Sequence, residues 1–424
     1  MSKITFKKIF TILSVVALLA TAGFGCKGLS TEEQQAIKSI SLEYWTVADD
    51  VDEINKMVAK YTAVRPYLHI TVRQLRENEI YSRLTEALSE DKGPDIISIS
   101  NRDIKAYLSK LSTMPSVIKD TTVKVIATNL RTETTVSIAN LSMPTVSQID
   151  NEYIQAVKQD VVYQDKIYGL PLSLDTLAVY YNKDILDRAG VAEPPKDWTD
   201  FQAAVKKITK YDKDGKITQS GVAIGLGTNV VGFDDILYLL FAQSGLYFTD
   251  SNGYAVFSAG GNELSAAVVK VMDFYTDYAN KNKDVYSWDS SFGTSLEEFI
   301  RGKVGFYFGY SGDLKTIKSQ APQLNVRLLS MFQLNSASPI NSANYWVQSV
   351  VKKSKNQNEA WALVNYLTHS TETKTYLDAA NRPTALRAYI TAQNQDDDLK
   401  PFSSQVLVAK NWYKGKEYAT AKTA

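Results

Sequence analysis

Strands and helices alternate at regular spacing near the start of the chain. Short apolar runs predict strands at residues 40–46, 70–72 and 96–99, and the segments between them carry apolar residues at helical spacing. This order predicts a parallel sheet, because right-handed crossover helices connect parallel strands. Ligands bind at the carboxyl ends of the strands in such sheets. Residues 45–50 and 100–103 are therefore expected at the mouth of a crevice.

A second constraint lies in the middle of the chain, at residues 168–183. A Tyr-Gly-Leu-Pro corner is followed by a strand predicted at residues 177–181. Asn182 is a favourable N-cap for a helix, and Gly190 stands where a left-handed residue would end that helix. A Pro-Pro pair then precedes Trp198, which opens another helix. The stretch predicts a corner, a strand and two helices joined by a proline-rich loop.

This stretch closely resembles the extracellular solute-binding proteins that serve ABC importers, especially the carbohydrate-binding, maltose-binding-protein-like family. The family pattern is Tyr-Gly-x-Pro, an aromatic pair with Asn-Lys, a helix ending in Ala-Gly, and Pro-Pro-x-x-Trp, and all of these occur here at the usual spacing. Residues 299–312, 353–367 and 381–384 are also similar to the family, so that the resemblance covers nearly the whole mature chain. One departure is that a Tyr-Ser-Gly turn replaces the family's Gly-Ser-Trp turn. Tyr310 is therefore expected to replace the usual stacking tryptophan.

The resemblance implies an α/β fold of the type II periplasmic-binding-protein class, with two discontinuous lobes joined by a hinge. The length of 424 residues also favours more than one core. We expect one lobe from residues 39–150 plus 315–365 and the other from residues 151–314 plus 366–424. The connecting segments are predicted near residues 145–160, near 310–320 and once more beyond residue 365.

The beginning of the chain has the pattern of an export signal. Three lysines precede an apolar run at residues 9–22, which is too short to span a bilayer as a permanent helix. We therefore expect a signal peptide at residues 1–25 and a polar tether at 26–38, with a short helix begun by Ser30. Cys26 resembles a bacterial lipoprotein acceptor, although the preceding Gly-Phe-Gly lacks the usual leucine. The alternative is an ordinary cleaved signal with an incidental cysteine.

Composition narrows the classes of partner and cofactor. The formal net charge is +1, and removal of the signal lysines makes it slightly negative, which does not suit a nucleic-acid-binding surface. A single cysteine excludes an internal disulfide, and one Cys with two distant His does not favour a metal site. We expect no cofactor. The 25 tyrosines suit contact with polar, ring-shaped ligands, although most aromatic residues should be core.

The expected ligand is a sugar or another small polar solute. Aromatic rings cover the apolar faces of a sugar, while carboxylate, amide and guanidinium groups bond its hydroxyls. For the tryptophans, ligand contact and core packing remain equal alternatives, and Asp175 could instead cap a turn. The candidate ligand-binding residues are Trp45, Asp49, Asn101, Asp175, Trp288, Tyr310, Tyr345, Trp346 and Arg382.

The predicted function is capture of a sugar or oligosaccharide between two lobes and its delivery to ABC transporter permease subunits. The protein is expected to be a monomer, exported to the periplasm or lipid-anchored at the outer face of the cell membrane. One alternative is a receptor that presents its ligand to a sensor. Another is a glycoside hydrolase, because two carboxylates can form such a site, but no motif in the sequence gathers a nucleophile, a base and oxyanion donors.

Overall fold

The computed structural model describes residues 29–127, 132–247, 261–413 and 415–423. The predicted signal peptide and Cys26 lie outside these residues. The predicted tether helix is confirmed at residues 31–36, where Ser30 and Glu33 form a reciprocal capping box. Within the described ranges, we find no helix that combines the length and apolarity needed to cross a membrane.

The described residues form a mixed α/β structure. In chain order the strands are β1 (Ile40–Thr46), β2 (Leu68–Gln74), β3 (Ile96–Ser100), β4 (Val117–Ala127), β5 (Thr132–Ser142), β6 (Val162–Tyr163), β7 (Lys166–Ile167), β8 (Leu170–Pro171), β9 (Asp175–Thr176), β10 (Ala178–Asn182), β11 (Lys210–Tyr211), β12 (Ile217–Val222), β13 (Val304–Gly309), β14 (Val326–Ser330), β15 (Asn341–Asn344), β16 (Trp346–Val350) and β17 (Ala409–Lys410). The α-helices are α1 (Thr31–Ala36), α2 (Val51–Ala63), α3 (Glu77–Ser89), α4 (Ile104–Tyr107), α5 (Val146–Glu152), α6 (Gln155–Val161), α7 (Lys183–Arg188), α8 (Trp198–Ile208), α9 (Phe233–Gln243), α10 (Gly261–Thr276), α11 (Ser295–Ile300), α12 (Ser311–Gln320), α13 (Gln357–His369), α14 (Thr371–Ala380), α15 (Ile390–Gln393), α16 (Lys400–Ser403) and α17 (Tyr418–Thr423).

The first large sheet confirms the alternation predicted near the start of the chain. Its strand order is β2-β1-β3-β16-β8, and β1 pairs in parallel with both β2 and β3. Helix α2 begins at the N-cap Asp50, whose side chain accepts a hydrogen bond from the Glu53 amide. Its apolar stripe, predicted from spacing alone, is buried against the sheet. Strand β16 joins the sheet antiparallel to β3, although about 250 residues separate the two in sequence.

The second large sheet has the order β11-β12-β13-β10-β14 and contains the predicted central strand as β10. Asn182 caps α7 as predicted, because its side-chain oxygen accepts a hydrogen bond from the Ile185 amide at 3.2 Å. Gly190 has a φ of +70°, which is the left-handed conformation expected after the helix. Helix α8 then buries Trp198 and Phe201 in the core of this sheet.

The apolar side chains form two separate cores. The first core contains buried residues from Leu42 to Leu174 and again from Ala343 onward. The second core contains Leu177 to Ile340, together with Phe402. We use "first lobe" and "second lobe" for the elements that pack in the first and second core.

The chain crosses between the two cores at short paired strands. Strand β9 lies between Leu174 of the first core and Leu177 of the second, and β15 lies between Ile340 and the return to the first core. These two strands are antiparallel neighbours, with Thr176 opposite Ala343, and β17 completes a three-stranded sheet. The crossings therefore lie side by side.

This division differs from the predicted lobe boundaries. Residues 151–174 and most of the segment 366–390 pack in the first core, whereas 315–332 pack in the second. Two crossings accordingly lie near residues 175 and 341 rather than near 145–160 and 310–320, and a further crossing separates Ile390 of the first core from Phe402 of the second. The physical reason is that a strand's sheet is decided by partners far away in sequence, which the local pattern does not contain.

Candidate functional site

A polar cavity of about 460 Å³ lies between the two lobes. Its volume is within the range of small-molecule sites. The first lobe contributes the loop after β1, at residues 48–52, and the segment after α14 that carries Arg382. The second lobe contributes the first two turns of α12. The cavity is lined by Ala48, Asp49, Asp50, Val51, Asp52, Gln74, Ser311, Gly312, Lys315, Thr316, Ala380 and Arg382.

Asp49 places a buried carboxylate on the first-lobe wall of the cavity. It follows the carboxyl end of β1, as the sequence predicted, and is only 6% exposed. Its Oδ2 accepts hydrogen bonds from Ser98 Oγ at 3.1 Å and Gln348 Nε2 at 3.2 Å. Burial raises the pKa of Asp49, although these bonds and the charge of Arg382 oppose the rise. The carboxylate is thus held in place by the sheet behind it.

Asp175 lies on β9, at the crossing between the lobes. Its Oδ2 accepts hydrogen bonds from the Ser311 amide at 2.9 Å and the Ser311 hydroxyl at 2.6 Å. This places the carboxylate at the N-terminus of α12, where the helix dipole favours negative charge. Burial nevertheless raises the pKa of Asp175 to about 6, against the opposing charge of Arg382.

Arg382 connects the crossing with the first lobe. One guanidinium nitrogen, Nη2, donates to the Ala48 carbonyl at 2.9 Å, and Nη1 lies 3.8 Å from Asp175 Oδ2. A Cβ placed on Gly312 would lie 2.6 Å from Nη1, so a larger residue there would displace the guanidinium from its present position. Of the predicted residues, Asp49 and Arg382 therefore line the cavity, and Asp175 contacts the lining residues Ser311 and Arg382.

Tyr310 stands at the boundary between this cavity and a second, buried group of charges. It precedes α12, and its hydroxyl donates to Asp235 Oδ2 at 2.6 Å. Arg102 from the loop after β3 donates to Oδ1 of the same carboxylate. Burial alone would raise the pKa of Asp235, but the Arg102 charge and the hydrogen bonds from Tyr310 and Ser342 hold it below its ordinary value.

The pair of Arg102 and Asp235 was missed by the sequence analysis. Arg102 is in the segment 100–103 that was predicted at the crevice, and Asp235 is in the first turn of the apolar helix α9. No sequence signal shows that a first-lobe loop and a second-lobe helix meet here. Both side chains are almost completely buried, at 7% and 2% exposure.

Asn101 and Tyr345 meet in another polar group, below the loop after β3. The Tyr345 hydroxyl donates to Asp160 Oδ2 at 2.7 Å, and Asn101 Nδ2 donates to the Ala343 carbonyl at 3.1 Å. The Asn101 Oδ1 atom is buried without a hydrogen-bond partner among the described residues. Trp346 is half-buried on β16, opposite Ser100. These three residues adjoin the interlobe region but do not line the cavity.

Trp45 and Trp288 are buried in different cores, and neither lines the cavity. Trp45 is packed in the first core, with its Nε1 donating to Glu43 at 2.7 Å, and Trp288 is fully buried in the second core. Trp288 stacks on Phe292 with 4.5 Å between ring centroids. For these two candidate ligand-binding residues, the structure therefore favours the alternative of core packing. Both rings face inward and are buried among apolar side chains, so their role is core packing rather than stacking on a ligand.

The groups at the cavity suit recognition of hydroxyls. Carboxylates accept and a guanidinium donates charge-assisted hydrogen bonds, and the first lobe supplies both, whereas the second lobe supplies hydroxyl groups and the Lys315 ammonium group. Among the residues that the structure describes, no cluster of three or more His, Cys, Asp or Glu side chains could hold a metal ion. The arrangement is that of a binding protein whose site is divided between two lobes.

Sequence comparison agrees with this class. The family of bacterial extracellular solute-binding proteins matches residues 56–401. The multiple sugar-binding protein of Streptococcus mutans is 21% identical over 435 residues, covering 99% of this chain and 93% of that protein. A binding protein of Brucella abortus is 25% identical over 52% of this chain and 51% of its own length. The chain thus spans about half the length of the Brucella relatives that it matches.

Solved structures show the same fold at low identity. The GacH receptor of Streptomyces glaucescens, solved unliganded and with acarbose, has a TM-score of 0.68 at 16% identity, over 91% of this chain and 90% of that one. An ABC substrate-binding protein of Listeria monocytogenes in complex with cycloalternan has a TM-score of 0.67 at 15% identity, over 91% of each chain. These similarities confirm the predicted two-lobed α/β fold.

The chain belongs to the bacterial extracellular solute-binding proteins. This is a family of binding proteins rather than glycoside hydrolases, in agreement with the predicted class of protein.

The raised pKa of Asp175 predicts a pH dependence of stability. Between its ordinary value of 3.8 and about 6, the folded protein keeps a proton that the unfolded chain has released. The contribution of Asp175 to the free energy of unfolding therefore falls as the pH rises through this window, by about 3 kcal/mol in total. In Asp175→Asn this contribution is absent. The free energy of unfolding of the variant minus that of the wild type should therefore increase from pH 4 to pH 7.

Urea unfolding at a series of pH values measures this difference. Asp214→Asn, at an exposed position, is the matched control and should give a curve parallel to that of the wild type. Parallel curves for Asp175→Asn as well would show that Asp175 is ionised in the folded state without penalty.

Proposed function

We propose that this protein captures a sugar or oligosaccharide in the interlobe cavity and delivers it to the permease of an ABC importer. The observation that carries the proposal is one polar cavity between the lobes, which is lined by Asp49 and Arg382 and linked to Asp175 through Arg382 and Ser311. Relatives support the choice of ligand class, since their names include a multiple sugar-binding protein and a maltodextrin-binding protein of Bacillus subtilis.

The cavity favours recognition through hydroxyls more than through stacking. Its lining, within the described residues, is carboxylate, amide, hydroxyl, ammonium and guanidinium with a few small apolar side chains. Tyr310 is the predicted aromatic residue nearest to this wall, because Ser311 follows it directly. We therefore propose Asp49, Asp175 and Arg382 as ligand contacts, with Tyr310 beside them, and we assign structural roles to Trp45 and Trp288.

Ligand binding would be linked to hinge closure. The cavity has walls from both lobes, and the ion pair of Lys315 with Asp50, at 2.6 Å, already joins them. A ligand that contacts both walls binds the closed arrangement more tightly, which is the condition for shifting an equilibrium toward it. The paired crossings near residues 175 and 341 are the proposed hinge, between lobes of residues 40–174 plus 343–398 and residues 177–340.

The ligand class is tested by a thermal-shift screen. A ligand that binds only the native state stabilises it by RT ln(1 + [L]/Kd), so mono- and oligosaccharides at increasing concentration should raise the melting temperature. The screen should include polyamines and phosphate esters as competing classes. Stabilisation by one of those classes and by no carbohydrate would overturn the proposal.

Arg382→Ala should weaken binding of the carbohydrate found in that screen. Loss of hydrogen bonds from a charged group costs about 1.5–3 kcal/mol, which corresponds to a 10- to 100-fold increase in Kd. Arg188→Ala is the matched control, because Arg188 is exposed at the end of α7 and is not among the residues that line the cavity. Isothermal titration calorimetry measures both variants, and equal affinities would remove Arg382 from the site.

Hinge closure should be visible in solution. Small-angle scattering is expected to give a smaller radius of gyration with saturating ligand than without it, because the lobes approach each other. An unchanged radius at saturation would argue that the ligand contacts one lobe only. Product analysis of the same sample would detect any cleavage of the sugar.

We also propose that the mature protein is held at the outer face of the membrane by acylation of Cys26. The support is the sequence alone, since the residue lies outside those that the structure describes. Acyl chains anchor a protein by about 0.8 kcal/mol per buried CH₂ without a spanning helix. Cys26→Ser should move the protein from the membrane fraction to the soluble fraction on cell fractionation, and an unchanged distribution would refute the anchor.

A further inference from the structure

The last described residues of the chain lie across the junction of the two lobes. We call residues 411–413 and 415–423 the latch. They begin directly after β17 and end in α17. The cavity lining comes from other segments, so the latch lies beside the proposed ligand site and not in it.

On the first-lobe side, the latch is held by two residues. Asn411 Nδ2 donates to the Asn101 carbonyl and to Asp160 Oδ1, both at 3.1 Å. Arg102 Nη1 donates to the Tyr418 hydroxyl at 2.8 Å, and the guanidinium lies 5.1 Å from the Tyr418 ring centroid. These contacts attach the latch to the loop after β3 and to α6.

On the second-lobe side, the latch binds two adjacent carboxylates at the start of α9. Trp412 Nε1 donates to Asp235 Oδ1 at 3.1 Å, and its ring stacks on Tyr238 with 5.9 Å between centroids. The Tyr418 hydroxyl donates to Asp234 Oδ2, and Lys422 Nζ lies 3.1 Å from Asp234 Oδ1. The latch therefore contacts both lobes through charge-assisted hydrogen bonds.

Charge explains why the latch matters to the junction. The two side chains Asp234 and Asp235 are 5% and 2% exposed, and a buried carboxylate without partners is strongly disfavoured. Arg102 lies beside both carboxylates, and Lys422 supplies the second positive charge. With the latch in place, the carboxylates are compensated only while the first lobe, the second lobe and the latch stay together.

The junction is connected to the ligand cavity through Tyr310. Its hydroxyl binds Asp235, which the latch also contacts, and its neighbour Ser311 binds Asp175 at the cavity. The latch and the proposed ligand site thus both contact the two lobes, and they lie next to each other.

We propose that the latch holds the two lobes together in the absence of ligand, so that part of the population is closed before a ligand arrives. A closed population present in advance raises the apparent affinity, because affinity is reduced by the fraction of molecules that are binding-competent. The inference rests on the hinge of the proposed function but not on the identity of its ligand.

The test uses ligand-free protein. The double variant Tyr418→Phe, Lys422→Met removes the hydroxyl and the ammonium group that bind Asp234. Loss of even one charge-assisted hydrogen bond should shift the equilibrium between the closed and open forms about tenfold or more toward the open form. Small-angle scattering should therefore give a larger radius of gyration for this variant than for the wild type. A chain ended after Tyr413 should expand in the same way.

The matched control is the double variant Tyr413→Phe, Lys416→Met. It removes the same two groups from the same segment, but the Tyr413 hydroxyl accepts a bond from the Glu417 amide within the latch, and Lys416 is exposed. Circular dichroism verifies that each variant is folded. If the shortened chain does not fold, the point variants decide.

Two outcomes would overturn the proposal. One is a wild-type radius for the ligand-free Tyr418→Phe, Lys422→Met variant, and the other is an equal expansion of the control. Because no sugar is present, failure of this test is distinguishable from failure of the proposed ligand class, which the thermal-shift screen examines separately.

Discussion

The antiparallel pairing of β9 with β15 is the contact on which the site depends. It holds the two crossings side by side, with Asp175 opposite Asn344, and places one apolar core at each end. Because β9 carries Asp175, the carboxylate that receives the first turn of α12 belongs to the hinge itself. A movement of one lobe about these strands therefore changes the surroundings of Asp175 directly. The proposed hinge therefore adjoins the proposed binding site through Asp175 and its partner Ser311.

Burial of charge is the second recurring feature of the junction. Asp49, Asp175 and Asp235 are each more than nine-tenths buried, and each has its own set of donors. Desolvation raises the pKa of the first two, whereas Arg102 keeps Asp235 ionised. Such carboxylates are costly to the fold, since well-packed apolar side chains in their place would often be neutral or stabilising. We infer that these carboxylates are retained because they serve binding of a polar solute and contact between the lobes.

The sequence predicted local elements well and long-range partners poorly. Strand β1, helix α2 and the Asn182 cap follow from spacing and capping chemistry, which act over a few residues. The division into lobes depended on pairings such as β3 with β16, for which no local signal exists. The hairpin of β4 and β5 was missed for another reason, because its polar, threonine-rich strands lack the strong apolar alternation of a half-buried strand. Asp49 was predicted from its position after β1, and Asp175 and Arg382 from the motifs of the family resemblance, whereas the candidate stacking residues Trp45 and Trp288 are core.

The late arrival of β16 in the first sheet has a consequence for how the chain folds. The second core is built almost entirely from one continuous stretch, Leu177 to Ile340, whereas the first sheet lacks its fourth strand until residue 350 has been made and exported. Loop closure over such a separation is slow, and the unpaired edge of β3 stays open to other chains in the meantime. We therefore expect the second lobe to complete its core first. Strand β16 then pairs with the free edge of β3. In an exported protein this order delays completion of the first lobe until most of the chain has crossed the membrane.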